Sequence, residues 1–242
     1  MSDPAVVETK KQNIMNSQTV WPGAFGAFKY SKSAVMLALK PLLVLTLGYI
    51  LLSWAIAYPL FSSILSQDST KAPKNLPLST QVVWNIAAYL FSISVCILLL
   101  RASGGKKINL TDALKSTLSL KLLVNYVLLQ FIFGGLLLLS ALLLLIPALV
   151  WGPRLALAAY YLIDQNMNCL DAISASWKAT KGHGGKVWGI IGAGFVMFLP
   201  AITIIGAPVA IYLLIMYQAA FIVLYQNIKT SSQSVVEPVA VV

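Results

Sequence analysis

The long apolar runs constrain this chain more than anything else in it. LLVLTLGYILLSWAIAYPLFSSIL, from Leu42 to Leu65, carries no charged residue, and comparable runs recur at 81–100, 122–146, 148–164, 187–204 and 209–228. Runs of about 18 or more mostly apolar residues are long enough to cross the hydrocarbon layer as helices. In lipid every backbone N–H and C=O must be satisfied internally, which a helix does within itself. The spacing therefore predicts an all-α fold: a polytopic membrane helical bundle of six transmembrane helices, with amphipathic helices at the interface. The run at 148–164 is short, about 25 Å at 1.5 Å per residue. Its alternative is one long kinked helix over 122–164, bent at Pro147.

The charges fit that reading. Only 10% of residues are charged against 59% apolar, and mean hydropathy is +0.83. A soluble domain carries about 25% charged residues, so this chain cannot cover a globular surface with groups that suit water. The net charge of +10 lies in the short segments between apolar runs. There it signals orientation and contact with anionic lipid heads rather than nucleic acid. With six spans, fourteen of the 17 Lys and Arg fall on one side, Lys71 and Lys74 fall on the other, and Arg154 lies within a span. That bias places both termini in the cytoplasm of a cell-membrane protein.

Between the spans lie shorter patterns. Residues 1–20 and 230–242 are polar and aperiodic and are expected to be disordered. The N-terminus lacks the short apolar core and small-residue cleavage site of a signal peptide. Trp21, Phe25, Phe28 and Tyr30 with Lys29 and Lys32 suit the headgroup zone, and Ser33–Lys40 suits a helix lying on the surface. A second amphipathic helix, capped by Thr111, has Leu110, Leu114 and Leu118 on one stripe. The third is Cys169–Thr180. Asn168 is its N-cap and Asp171 completes a variant capping box. Leu170, Ile173 and Trp177 share a face, and Lys178 and Lys181 lie at the end that favours cations. SAVMLALK, DALKSTLSLK and DAISASWK each precede two apolar runs. They are either a threefold repeat or the common pattern of interfacial helices.

Few residues suggest chemistry. Arg154 lies inside an apolar run, where a charge costs at least about 2.5 kcal/mol and often marks a substrate path. The competing reading is that it snorkels to the interface or bonds carbonyls freed at the Pro147 turn. Asp164 ends the same run and is expected to face Lys178 or Lys181. His183, the only histidine, sits in KGHGGK, an expected exposed turn. Gly185 and Gly189 form a GxxxG that lets helices approach. Cys96 and Cys169 fall at different depths and are read as free thiols. One histidine and two distant cysteines cannot supply a zinc site, and no G-x-S-x-G, H-E-x-x-H or P-loop pattern occurs. Neither a cofactor nor an enzymatic activity is expected.

From Ile146 to Trp188 the chain carries Ile146-Pro147, Asp164, Asp171-Ala172-Ile173, Ser176-Trp177 and Lys181-Gly182. In these residues it resembles a broad group of bacterial polytopic membrane proteins that includes the membrane domain attached to some glycerophosphodiester phosphodiesterases. The resemblance implies a membrane domain without the catalytic barrel. Two function classes follow: a non-enzymatic scaffold, assembly or lipid-organising component, or a small transporter lined by Arg154, Asn85, Asn125, Gln130 and Gln218.

Overall fold

The computed structural model describes residues 21–65, 77–106, 108–143, 146–198 and 206–234. The termini at 1–20 and 235–242 and most of the 66–80 loop, including Lys71 and Lys74, lie outside them. Among the described residues every regular element is an α-helix: α1 (Ala24–Leu37), α2 (Leu39–Leu65), α3 (Leu78–Ser103), α4 (Leu110–Thr117), α5 (Leu120–Leu142), α6 (Ile146–Leu155), α7 (Ala158–Gln165), α8 (Cys169–Ala179), α9 (Gly184–Phe198) and α10 (Gly206–Ser234).

Four described helices are long and apolar enough to cross a membrane: α2 over Leu39–Ile56, α3 over Leu78–Ser103, α5 over Leu120–Ser140 and α10 over Ile211–Ser231. The chain is thus an all-α bundle of the multi-pass membrane type, but six continuous spans are not what forms. The expected span at 148–164 is two short helices, α6 and α7, separated by a turn at Ala156 and Leu157. Pro153 lies inside α6. Having no N–H, it leaves the carbonyl four residues earlier without its helical donor. A single kinked helix over 122–164 is excluded too, because α5 ends at Leu142. Of the fifth expected span, 187–204, the described part is helical, within α9 up to Phe198, and 199–205 lie outside the described residues. The end of α10 reaches Ser234, so 230–234 are helical rather than a disordered tail.

The largest departure is α1. Ser33–Lys40 is not a separate surface helix. Helix α1 starts at Ala24 and buries Ala27, Phe28, Ser31, Ala34 and Val35 on one face. It packs most extensively against α10 and also touches α9 and α3. Phe28 is therefore in the core, not in the headgroup zone. Small residues allow this close fit. A Cβ placed on Gly189 of α9 would lie 3.2 Å from the Ala24 Cβ. Ser31 Oγ satisfies itself on the Phe28 carbonyl at 2.7 Å.

The core gathers toward one end of the bundle. It takes Ile93–Leu100 of α3, Leu157, Ala158 and Leu162 around α7, Val187 and Ile190 of α9, and much of α10 from Ile215 to Ile228. Several cations meet at the same end. Lys229 pairs with Asp164, and Lys106 lines the same groove. Lys186 Nζ donates to Asn227 Oδ1 at 3.3 Å and lies 5.5 Å from the Trp21 ring centroid. Burial there lowers the Lys186 ammonium below the usual lysine value.

Candidate functional site

The break between α6 and α7 is the first place where the expected site residues meet. Where a helix stops, its last carbonyls lose their partners. At this break Ser176 Oγ donates to the Arg154 carbonyl at 2.7 Å, and Thr180 Oγ1 approaches it at 3.3 Å. Both hydroxyls come from the face of α8 that carries Cys169, Ala172 and Ser176 into the protein. That face, with spacings of three and four, is small and partly polar because it must sit close to α6 and α7 and supply donors. Thr180 follows on the same line.

Of the stripe Leu170, Ile173 and Trp177, the first and last therefore face outward, and Ile173 is half-buried against the core. Leu170 is 70% exposed and Trp177 42%. Trp177 covers the Arg154 guanidinium, with its ring centroid 5.6 Å from Cζ, a cation–π contact. Arg154 Nη1 is buried and without a hydrogen-bond partner among the described residues. So the structure brings Arg154 and Trp177 together and gives the Arg154 backbone, not its side chain, the new hydrogen bonds.

Asp171 is exposed in the first turn of α8. Asn168 stands at the N-cap position, yet neither residue makes the expected capping bond. The cap comes from elsewhere. Asn125 of α5 accepts from the Cys169 N–H through Oδ1 at 3.0 Å and donates through Nδ2 to the Lys121 carbonyl at 2.8 Å. Helix α4 likewise starts from Asn109 rather than Thr111. His183 is half-buried at the turn before α9, and its Nδ1 has no partner among the described residues. Both cysteines are free and buried. For Cys169, burial raises the thiol above its ordinary value.

Asp164 belongs to a different cluster from Arg154. Its expected partners Lys178 and Lys181 are replaced by Lys229 of α10, whose Nζ lies 2.6 Å from Oδ2. The Tyr225 hydroxyl donates to the same oxygen at 2.7 Å and accepts from Gln165 Nε2 at 3.2 Å. Burial alone would raise the Asp164 carboxyl. The hydrogen bonds from Lys229 and Tyr225 and the Lys229 charge outweigh it, so the group sits below the ordinary carboxylate value.

Beside this pair opens a groove of about 640 Å³, lined by Arg101, Lys106, Asp112, Ser116, Ser119 and Asp164 among others. Arg101 Nη2 donates to Ser116 Oγ at 3.4 Å. On another side of α4, Leu110, Leu114 and Leu118 line an apolar groove of about 410 Å³ against α2 and α3. The leucine stripe expected of α4 is thus real. The polar groove went unseen because its residues are scattered over four helices, and only α4 carries a local signal, Asp112 and Ser116 four apart.

Arg154, Asn85, Asn125, Gln130 and Gln218 line none of these grooves. Asn125 is committed to the α8 cap, Asn85 is exposed, and Gln218 Oε1 is buried without a partner among the described residues. No group of three or more histidine, cysteine, aspartate or glutamate side chains suited to a metal occurs among the described residues. Comparisons with family models, with curated proteins and with solved structures find no match.

Proposed function

We propose that this chain is a non-enzymatic component of a cell membrane, a scaffold, assembly or lipid-organising protein, with its basic end at the cytoplasmic bilayer surface. One observation carries the reading. Helix α8 turns its small residues inward and leaves Leu170 and Trp177 outward, beside Lys178 and Lys181. An apolar stripe flanked by cations suits the boundary between acyl chains and anionic heads, where each cation contributes about 1 kcal/mol. The resemblance to bacterial membrane domains that accompany phosphodiesterases agrees with such a role and carries no activity to this chain.

A second reading, a small transporter, is favoured by the broken pair α6–α7 and the buried Arg154 nitrogen, since discontinuous helices often form ion and substrate sites. The scattered positions of Asn85, Asn125 and Gln218 weigh against it.

The test uses a variant in which Trp177 is the only tryptophan, reconstituted in vesicles containing anionic lipid. Blue-shifted emission, quenching by brominated lipid and protection from aqueous iodide are expected. Emission as in water with free iodide quenching would defeat the surface-helix reading. Residue 183 should be labelled from the cytoplasmic side only; labelling from outside would reverse the orientation.

A further inference from the structure

The groove between α3, α4, α5 and α7 holds charges of both signs that do not neutralise one another. Asp164 is occupied by Lys229 and Tyr225. Among the described residues the Arg101 guanidinium is held only by Ser116. The Asp112 carboxylate accepts there only from the Asn109 amide, at 3.2 Å. Among the described residues neither Arg101 nor Asp112 has an opposite charge within ion-pair distance, although both line one cavity with Lys106, Ser116 and Ser119. We propose that this groove binds the headgroup of a zwitterionic glycerophospholipid, taking its phosphate on Arg101 and Lys106 and its primary ammonium on Asp112.

The chemistry is complementary at each point. A guanidinium matches two phosphate oxygens at once, and the Ser119 hydroxyl at the groove wall adds a donor. A carboxylate accepts from an ammonium that carries three N–H donors, whereas a second anionic group there would meet like charge. The volume lies within the usual range for a small-ligand site. A lipid, rather than a soluble phosphate compound, is favoured by what adjoins the groove. Arg101 lies in the last turn of the candidate span Leu78–Ser103 and Ser119 immediately precedes the candidate span Leu120–Ser140. The groove therefore lies at the level where spans end and lipid headgroups begin.

This inference rests on the lipid-organising reading, and one experiment separates their failures. The purified full chain in detergent is offered equal amounts of phosphatidylethanolamine, phosphatidylglycerol and phosphatidylcholine, and bound lipid is counted by native mass spectrometry. Phosphatidylethanolamine should exceed phosphatidylglycerol by roughly threefold to fivefold, about what one exposed charge pair supplies, and should also exceed phosphatidylcholine, whose quaternary ammonium carries the charge without an N–H donor. Asp112→Asn should abolish the preference and leave total binding unchanged, and Arg101→Gln should reduce binding of all three. Both side chains line an open groove, and circular dichroism checks that each variant folds. Equal or stronger binding of phosphatidylglycerol, a preference that survives Asp112→Asn, or binding insensitive to Arg101→Gln would overturn the site and leave the broader reading standing. Equal affinity for water-soluble glycerophosphoethanolamine would overturn its assignment to lipid. Binding of no glycerophospholipid at all would overturn both.

Discussion

Helices α2 and α10 are both apolar enough to span, yet they live in different surroundings. Of the residues in Ile211–Ser231, 61% are buried within the protein, against 6% in Leu39–Ile56. Helix α10 is wrapped by α1, α3 and α9, and its Ala219 and Ala220 are fully or nearly fully buried. Helix α2 has one main neighbour, α3, and exposes Leu43, Val44, Leu47, Leu51 and Trp54. Hydropathy treats the two alike because acyl chains and protein interiors are equally apolar. What separates them is small residues and paired polar groups, which protein partners need and lipid does not.

The strongest test of this contrast deletes the same atoms from each region. Leu99→Ala, at a fully buried site, should lower stability by about 2 kcal/mol or more, because the cavity forfeits dispersion contacts that lipid cannot restore. Leu51→Ala, at a site 70% exposed, should change stability by less than about 0.5 kcal/mol. Unfolding in bicelles by steric trapping measures both, and equal losses would erase the contrast.

The next test adds a methyl group. A Cβ on Gly194 of α9 would overlap the Tyr217 ring of α10, well inside van der Waals contact. Gly194→Ala should therefore cost about 1–3 kcal/mol as the ring is pushed aside. Gly48→Ala in α2, where a Cβ meets nothing within 4 Å, should be neutral or slightly stabilising through helix propensity. A tolerated Gly194→Ala would mean that α9 and α10 are not in contact at this point.

These particulars explain what the sequence could and could not reveal. Apolar run length and Lys/Arg placement carry helix class and most boundaries, because they depend on local composition. The stripe of α4 was legible for the same reason. The buried face of α8 was not legible: its apolar stripe could cover itself with lipid or with the span ends, and it is the small residues Cys169, Ala172 and Ser176 that meet the protein. The depth of α1 was missed likewise, since Ala27, Ser31 and Ala34 look unremarkable until α10 lies beside them. The Asn125 cap of α8 and the Asp164–Lys229 pair join residues 44 and 65 apart, and no periodicity reports such contacts.

A smaller effect probes the helix break. Ser176→Ala removes the closest donor to the Arg154 carbonyl and leaves Thr180 at 3.3 Å. The loss should be about 1 kcal/mol, one hydrogen bond with partial compensation. The double variant with Thr180→Val should exceed the sum of the single losses, because only then is the carbonyl left without a side-chain donor. Strict additivity would show that the two hydroxyls do not serve one acceptor.

The smallest expected effect is electrostatic and belongs to the packed end alone. Asp164 has a folded-state value below its ordinary 3.8 because Lys229 and Tyr225 favour the carboxylate. A group depressed on folding contributes stability above its unfolded value and loses it as pH falls through the folded one. The contribution should thus be complete near neutral pH and fade below about pH 4. The pair is partly open to solvent, which screens the charge and limits its share to about 1 kcal/mol or less. Asp164→Asn should lower stability by that amount at pH 7 and should flatten the dependence of stability on pH below 4. The Leu51→Ala protein, altered only in the apolar arm, should keep the full dependence. If Asp164→Asn retains the acid-sensitive slope, the carboxylate responsible lies elsewhere.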